Sequence, residues 1–282
     1  MLRRHLTILP MLPALGWLGA CVSRPSGQAS RDAPGAYSTA TLLSLLPQDA
    51  ILLGEQHDAV EHQSIHRHAT QALAQRGLLA ALVIEMAEIG RNTQGLAPDA
   101  HEAQVKQSLA WNDRAWNWAS YGPAIMAALR AGVAVFGANL VREQMGAAMR
   151  DAAHDQRLTP TALARQQQDI REGHCGLLPE SQIAPMTRVQ IARDASMAQT
   201  VQAQARAGKT VLLLAGAAHV DRATGIPAHW RGGFRAISVR LLPSGSAALA
   251  TEGFDQVWRT APVAAKDYCA EFKRQLPPKQ SS

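Results

Sequence analysis

Five short apolar runs set the rhythm of the chain, at residues 51–53, 82–84, 133–136, 211–214 and 236–239. Runs this short and this uniformly apolar predict strands covered on both faces. Between the first two, Ile65, Ala69, Ala72 and Leu73 recur at helical spacing and the pattern stops at Gly77, which predicts a helix over residues 60–76. Strands separated by long helical stretches require crossovers, so the pattern predicts an α/β fold with a mainly parallel central sheet flanked by helices. Residues 141–207 hold no convincing strand and are rich in Ala, Gln, Arg and Met. They are expected to form a helical insertion capping the carboxyl edge of the strands.

Four of the five runs end in polar residues. The first runs into Gly54-Glu55-Gln56-His57, the second into Glu85, the third into Gly137-Ala138-Asn139 and the fourth into Gly216-Ala217-Ala218-His219. The fifth, 236–239, carries no such tail and is expected at the sheet edge. In a parallel sheet all four tails fall along one edge, where open α/β sheets bind ligands. Gly54 is expected to let the backbone turn there. A single Gly-x-x-His carries no information, but two of them in matching context, with Glu55 and Glu85, bring imidazoles and carboxylates together. His57, Glu85 and His219 are suited to a divalent metal, and Glu55, His57, Glu85 and His219 to general acid and base work. The competing reading is that these residues cap helices and hydrogen-bond one another at a crowded edge.

Composition and charge narrow the classes. At 282 residues and 47% hydrophobic the chain buries a sizeable core. Its formal charge of +6 comes from scattered basic residues, which gives nucleic-acid binding no footprint. Arg3 and Arg4 precede an apolar stretch that closes in Leu18-Gly19-Ala20-Cys21. That pattern resembles a lipoprotein signal peptide over residues 1–20, with Cys21 as the lipidation site. Val22 after the cysteine resembles outer-membrane sorting. Residues 21–39 are Ser-, Pro-, Gly- and Arg-rich and read as a flexible tether. The folded domain is expected over 40–265, followed by a tail over 266–282. Cys175 and Cys269 remain; in an oxidising compartment they are free to pair, but spacing alone does not say that they meet.

Three further groups are candidates. Trp111, Ala115 and Trp118 share a face at helical spacing beside Tyr121, a stripe that is either core or the wall of a planar ligand site. His62 and His66 have the spacing of a zinc-protease helix, but Gln63 stands where the catalytic glutamate belongs, so a solvated or site-flanking face is expected. His174 lies in a Gly- and Pro-bounded loop within the insertion, and Gln190 and Asp194 share a face of the helix that follows.

In order and spacing, several segments resemble the haem-binding uptake (ChaN-type) lipoproteins of the Tiki superfamily, which also contains erythromycin esterases and Tiki metalloproteases. They are Leu53-Gly54-Glu55-Gln56-His57 with His62, Ile84-Glu85-Met86, Trp118 with Tyr121-Gly122-Pro123, and Gly137-Ala138-Asn139. Further on come residues 175–180 and 186–190, Arg193-Asp194, Met197-Ala198, Gly216-Ala217-Ala218-His219 and Gly225-Ile226-Pro227. The resemblance implies a non-enzymatic haem-binding protein of iron uptake, held in the outer membrane by its lipid. It further implies a homodimer enclosing two haems and contact with outer-membrane haem-uptake machinery. His57, Glu85, Tyr121, Asn139, His174 and His219 are the candidates for touching haem, with Tyr121 and His174 as axial ligands. The alternative that hydrolytic relatives imply is a metal-dependent hydrolase using Glu55, His57, Glu85 and His219.

Overall fold

The computed structural model describes residues 35–246 and 251–275. The expected signal peptide over 1–20, Cys21 and the tail beyond Gln275 lie outside these residues. Among them, no helix is long and apolar enough to cross a membrane.

A single six-stranded sheet forms the centre. Its strands are β1 (Ala50–Glu55), β2 (Leu79–Glu88), β3 (Val135–Asn139), β4 (Thr210–Gly216), β5 (Ala236–Pro243) and β6 (Gln256–Thr260), in the order β3-β2-β4-β1-β5-β6. Every pairing is parallel. The fold class therefore follows the hydrophobic pattern. One expectation fails: β5 lies inside the sheet, between β1 and β6. The true edge is β6, whose alternating exposed and buried positions leave no apolar run to read.

Strand parity divides the core. Ile51, Leu53, Leu82, Ile84, Leu212 and Leu214 point to one face, where they pack under α2 (Val60–Gln75) and α4 (Trp118–Arg130). Leu52, Val83, Val211 and Leu213 point to the other, together with Met197, Ala198 and Val201 of α7 (Glu180–Ala203). Around α7, residues 141–207 also hold α5 (Met145–Arg150) and α6 (Pro160–Gly173), the latter with Thr159 as its side-chain cap and Pro at its first turn. Before them come a short α1 (Thr39–Ser44) and α3 (Glu102–Ser108).

Both ends of the domain are tied in. Arg259 N–H donates to the Gly35 carbonyl and Tyr37 packs 5.4 Å from Trp258, so residues placed by sequence in the tether already join the fold. At the other end α8 (Tyr268–Gln275) occupies part of the expected tail, and Cys269 on it forms a disulfide with Cys175 in the loop between α6 and α7.

Gly54 serves a different purpose from the expected turn. The strand runs on through it, and a Cβ at that position would lie 2.3 Å from Val220 Cγ2 and 2.9 Å from the Ala217 backbone. It is small so that the turn after β4 can lie against β1. Because a backbone atom blocks the space, Gly54→Ala is expected to cost about 1–3 kcal/mol through overpacking. An unchanged urea midpoint in that variant would contradict the close-approach role.

Candidate functional site

Glu55 ends β1 beside Gly216 at the end of β4, and Glu85 lies in β2 on the other side of β4. Parity sends the two carboxylates to opposite faces. Glu55 follows Leu53 toward α2 and α4, whereas Glu85 follows Val83 toward α7. The site therefore straddles the carboxyl edge of the sheet.

On the first face Glu55 is almost fully buried, with 2% of its surface exposed. Tyr121 Oη donates to its Oε1 at 2.7 Å, His57 Nδ1 lies 2.8 Å from the same oxygen, and Gln63 donates to Oε2 at 2.9 Å. His66 Nδ1 stands 3.6 Å from Oε2. Burial opposes the charge of Glu55, but His66, His57 and Tyr121 together draw its carboxyl below the usual range. Burial and the neighbouring carboxylates push the Tyr121 phenol far upward, which keeps its proton on.

On the second face Glu85 accepts from Gly216 N–H at 2.8 Å and from Arg193 Nη2 at 2.7 Å, with His219 Nε2 at 3.3 Å. Against the cost of burial, His219, Arg193 and His57 hold this carboxyl ionised and its pKa well below the ordinary range. The other ring nitrogen of His219 lies 2.5 Å from Asp194 Oδ1 and within 3.1 Å of Gln190. Burial alone would lower the His219 pKa; Glu85 and Asp194 outweigh it and push the imidazole up to about 9. Burial also raises the Asp194 carboxyl, against the opposing pull of His219 and Arg193. Arg193 in turn donates to Asn139 at the end of β3.

His57 joins the halves. Its Nδ1 faces Glu55, its Nε2 lies 3.9 Å from Glu85, and its side chain is 43% exposed. A Cβ on Gly216 would fall 2.8 Å from His57 Nε2, so this second motif glycine leaves room for the imidazole rather than for a turn. Trp116 packs edge-on against His57 at 5.0 Å and against Tyr121 at 5.8 Å.

The strand edge thus gathers Glu55, His57, Glu85, Tyr121, Asn139 and His219. It does not gather His174, whose Nδ1 bonds the Ile170 carbonyl and whose ring lies against Phe272. Two further expectations change. Of the solvated and site-flanking alternatives for His62 and His66, the solvated one falls away: both are buried, His62 bridging Gln56 N–H and Thr260 and His66 flanking the site at Glu55. Nor do Trp111 and Trp118 share a helix face, because α4 begins only at Trp118, capped by Asn117; the two rings meet edge-on across a turn. Gln63 and Arg193 acquire roles that spacing did not show. Gln63 was visible only as a departure from the zinc-protease pattern, and Arg193 only within the motif Arg193-Asp194.

A profile of the haem-binding uptake family of the Tiki superfamily, ChaN, matches residues 42–230. No curated protein matches the chain. Among solved structures, that of cofacial haem binding to ChaN of Campylobacter jejuni superposes with a TM-score of 0.63 at 24% identity, covering 77% of this chain and 89% of that one. The type III effector HopBA1 matches at a TM-score of 0.44 and 17% identity, over 76% and 88% of the two chains.

Two outcomes follow from the electrostatics. Arg193→Ala strips the buried Glu85 of its guanidinium but leaves Gly216 N–H and His219, so a loss of about 3 kcal/mol is expected in denaturant unfolding. A loss under about 1 kcal/mol would show that the pair is dispensable. The second concerns pH. Burial lowers His62 to about 4, so between 6.5 and 4 the unfolded chain takes up its proton first and stability falls as pH drops. His219, raised to about 9, contributes fully below 6.5 and loses that contribution as pH rises through about 9. Urea midpoints should therefore peak near pH 6.5, and His219→Gln should flatten the alkaline limb.

Proposed function

The chain belongs to the haem-binding uptake (ChaN) family of the Tiki superfamily, and from that membership we propose that it is a membrane-anchored haem-binding lipoprotein of haem and iron uptake. The observation that carries this reading is the family match itself, because residues 42–230 take in the whole strand-edge cluster from Glu55 to His219. Cys21, acylated after removal of residues 1–20, anchors the protein to the outer membrane, and the tether gives the domain reach. Cofacial haem binding in the Campylobacter jejuni protein of the same fold supports a homodimer with paired haems. Outer-membrane haem-uptake machinery would exchange the cargo.

Among the edge residues, His57 fits haem best. Its Nδ1 is taken by Glu55, its partly exposed ring stands against Trp116, and a carboxylate behind a histidine is the usual support for a metal-bound imidazole. Haem supplies the iron; Glu55 fixes the ring and Trp116 offers an aromatic wall. Tyr121 does not fit as an axial ligand, since its buried hydroxyl is committed to Glu55.

A second reading, a metal-dependent hydrolase using Glu55, His57, Glu85 and His219, draws on one observation: His219 is held between Asp194 and Glu85 in the manner of an oriented acid. Among the described residues no group of three or more His, Cys, Asp or Glu is arranged to hold a metal ion. The family match over residues 42–230 favours the haem reading.

Hemin added to the purified protein should give a Soret band at micromolar concentration, and His57→Ala should shift it and weaken binding at least tenfold. A flat spectrum would sink the haem reading. Stoichiometric divalent metal that is lost in His219→Ala would favour the hydrolase instead. Metabolic palmitate labelling that disappears in Cys21→Ala tests the anchor.

A further inference from the structure

Cys175 stands at φ 57°, in the left-handed region that side chains rarely adopt. The turn it makes closes α6: its N–H donates to the Glu172 carbonyl and that of Gly176 to the Arg171 carbonyl. Such a helix stop ordinarily asks for glycine or asparagine. A cysteine there is accounted for by the bond it makes, to Cys269, 94 positions further on.

Cys269 is the second residue of α8, and the residues beside it reach a different part of the molecule. Tyr268 Oη donates to Asp58 Oδ2 at 2.7 Å and accepts from Gln56 Nε2 at 3.1 Å. Gln56 Nε2 also donates to Asp58 Oδ1 at 3.0 Å, so three side chains close a ring of bonds around the backbone that carries His57. From the inside, Gln63 holds the His57 carbonyl at 3.0 Å. From the outside, Tyr268 is the anchor. One turn along α8, Phe272 lies edge-on to His174, the neighbour of Cys175. The helix thus spans from the loop that presents His57 to the loop between α6 and α7.

Little else holds it. From Tyr268 to Arg274 no side chain is fully buried, and Tyr268 itself is 48% exposed. A helix of eight residues is far too short to persist by itself, since isolated helices under about 12–15 residues are marginal in water. Its attachment therefore leans on the covalent link. We propose that α8 is a redox-released strap: while the disulfide is closed it fixes the 56–58 loop and with it His57, and a dithiol reductant frees both. In that exchange the Cys175–Cys269 bond breaks and both sulfurs become thiols. The reductant supplies the two electrons and two protons and closes to its own disulfide. Where His57 holds a haem, release of the strap loosens that hold; this last step rests on the haem reading, whereas the release of α8 and of the loop does not.

The test compares the full chain oxidised, reduced with dithiothreitol, and as Cys269→Ser. Hydrogen exchange reads the strap directly: amides of α8, and the Gln56 N–H that donates to His62 Nδ1 at 2.9 Å, should exchange about tenfold faster in the reduced protein and in Cys269→Ser. Tyr268→Phe keeps the disulfide but loses the hydroxyl, so exchange should rise at Gln56 and stay as in wild type over α8. Hemin transfer to apomyoglobin, measured without reductant, should be about fivefold faster from Cys269→Ser and from Tyr268→Phe than from wild type. If reduction speeds exchange in α8 alone, leaving Gln56 and the hemin off-rate unchanged, the disulfide is a staple and the strap is overturned. Unchanged exchange in both segments overturns it as well. If the oxidised protein takes up no hemin, the haem reading fails and the exchange at Gln56 still decides the strap. Should Cys269→Ser not fold by circular dichroism, the reduced wild type and Tyr268→Phe carry the same comparison.

Discussion

The carboxylate of Glu85 is the buried charge around which the molecule is assembled. A carboxylate taken from water costs several kcal/mol unless each lone pair finds a donor. Here the donors come from two separate stretches: Gly216 N–H and His219 at and just after the end of β4, and Arg193 on α7. Satisfying Glu85 fixes the height of α7 over the sheet. Asp194 and Gln190, on the same face of that helix, then hold His219 from its other side. The helical insertion is thus bound to the sheet by charge as well as by the packing of Met197, Ala198 and Val201.

Glu55 repeats the problem on the opposite face and solves it with neutral or weakly basic partners, Tyr121, Gln63, His57 and His66. The difference in solution leaves His57 as the group that bridges both acids and still meets solvent. Just beyond it, Tyr268 Oη donates to Asp58 and accepts from Gln56, so α8 rests on the rim of the site. The disulfide from Cys269 to Cys175 ties that helix to the insertion. Rim, insertion and sheet edge are consequently one connected frame, although their residues are scattered over the chain.

What the sequence made legible follows from range. Buried strands announce themselves locally, as Ile51 to Leu53 and Val211 to Leu214 do, because both faces exclude water. The edge strand β6 alternates Gln256, Val257, Trp258 and Arg259 and resembles a loop; its invisibility is why β5 reads as the edge. Polar residues after the strands mark the site because a parallel sheet aligns carboxyl ends. Burial of His62 and His66 was not legible, since helix periodicity assigns polar residues to water and these two turn inward to Thr260 and Glu55. The pairing of Arg193 with Glu85 spans 108 positions and leaves no local trace. Cys175 and Cys269 meet only because α8 folds back.

Helix α7 packs on the sheet, bonds to the strand edge and lines a cavity within one small insertion. A helix that covers a sheet normally turns one apolar stripe inward and a polar one to solvent. In α7 the inward stripe of Met197, Ala198 and Val201 packs on the sheet, Gln190, Arg193 and Asp194 serve the strand edge, and Ala192, Ala195, Ser196 and Gln199 face the cavity. Three working faces leave little surface for a simple amphipathic pattern, and the small residues on the third keep the space beside it open. Anything that shifts α7 to fill the cavity must also move Arg193 away from Glu85. The buried ion pair that seats the insertion on the sheet therefore also holds the cavity open.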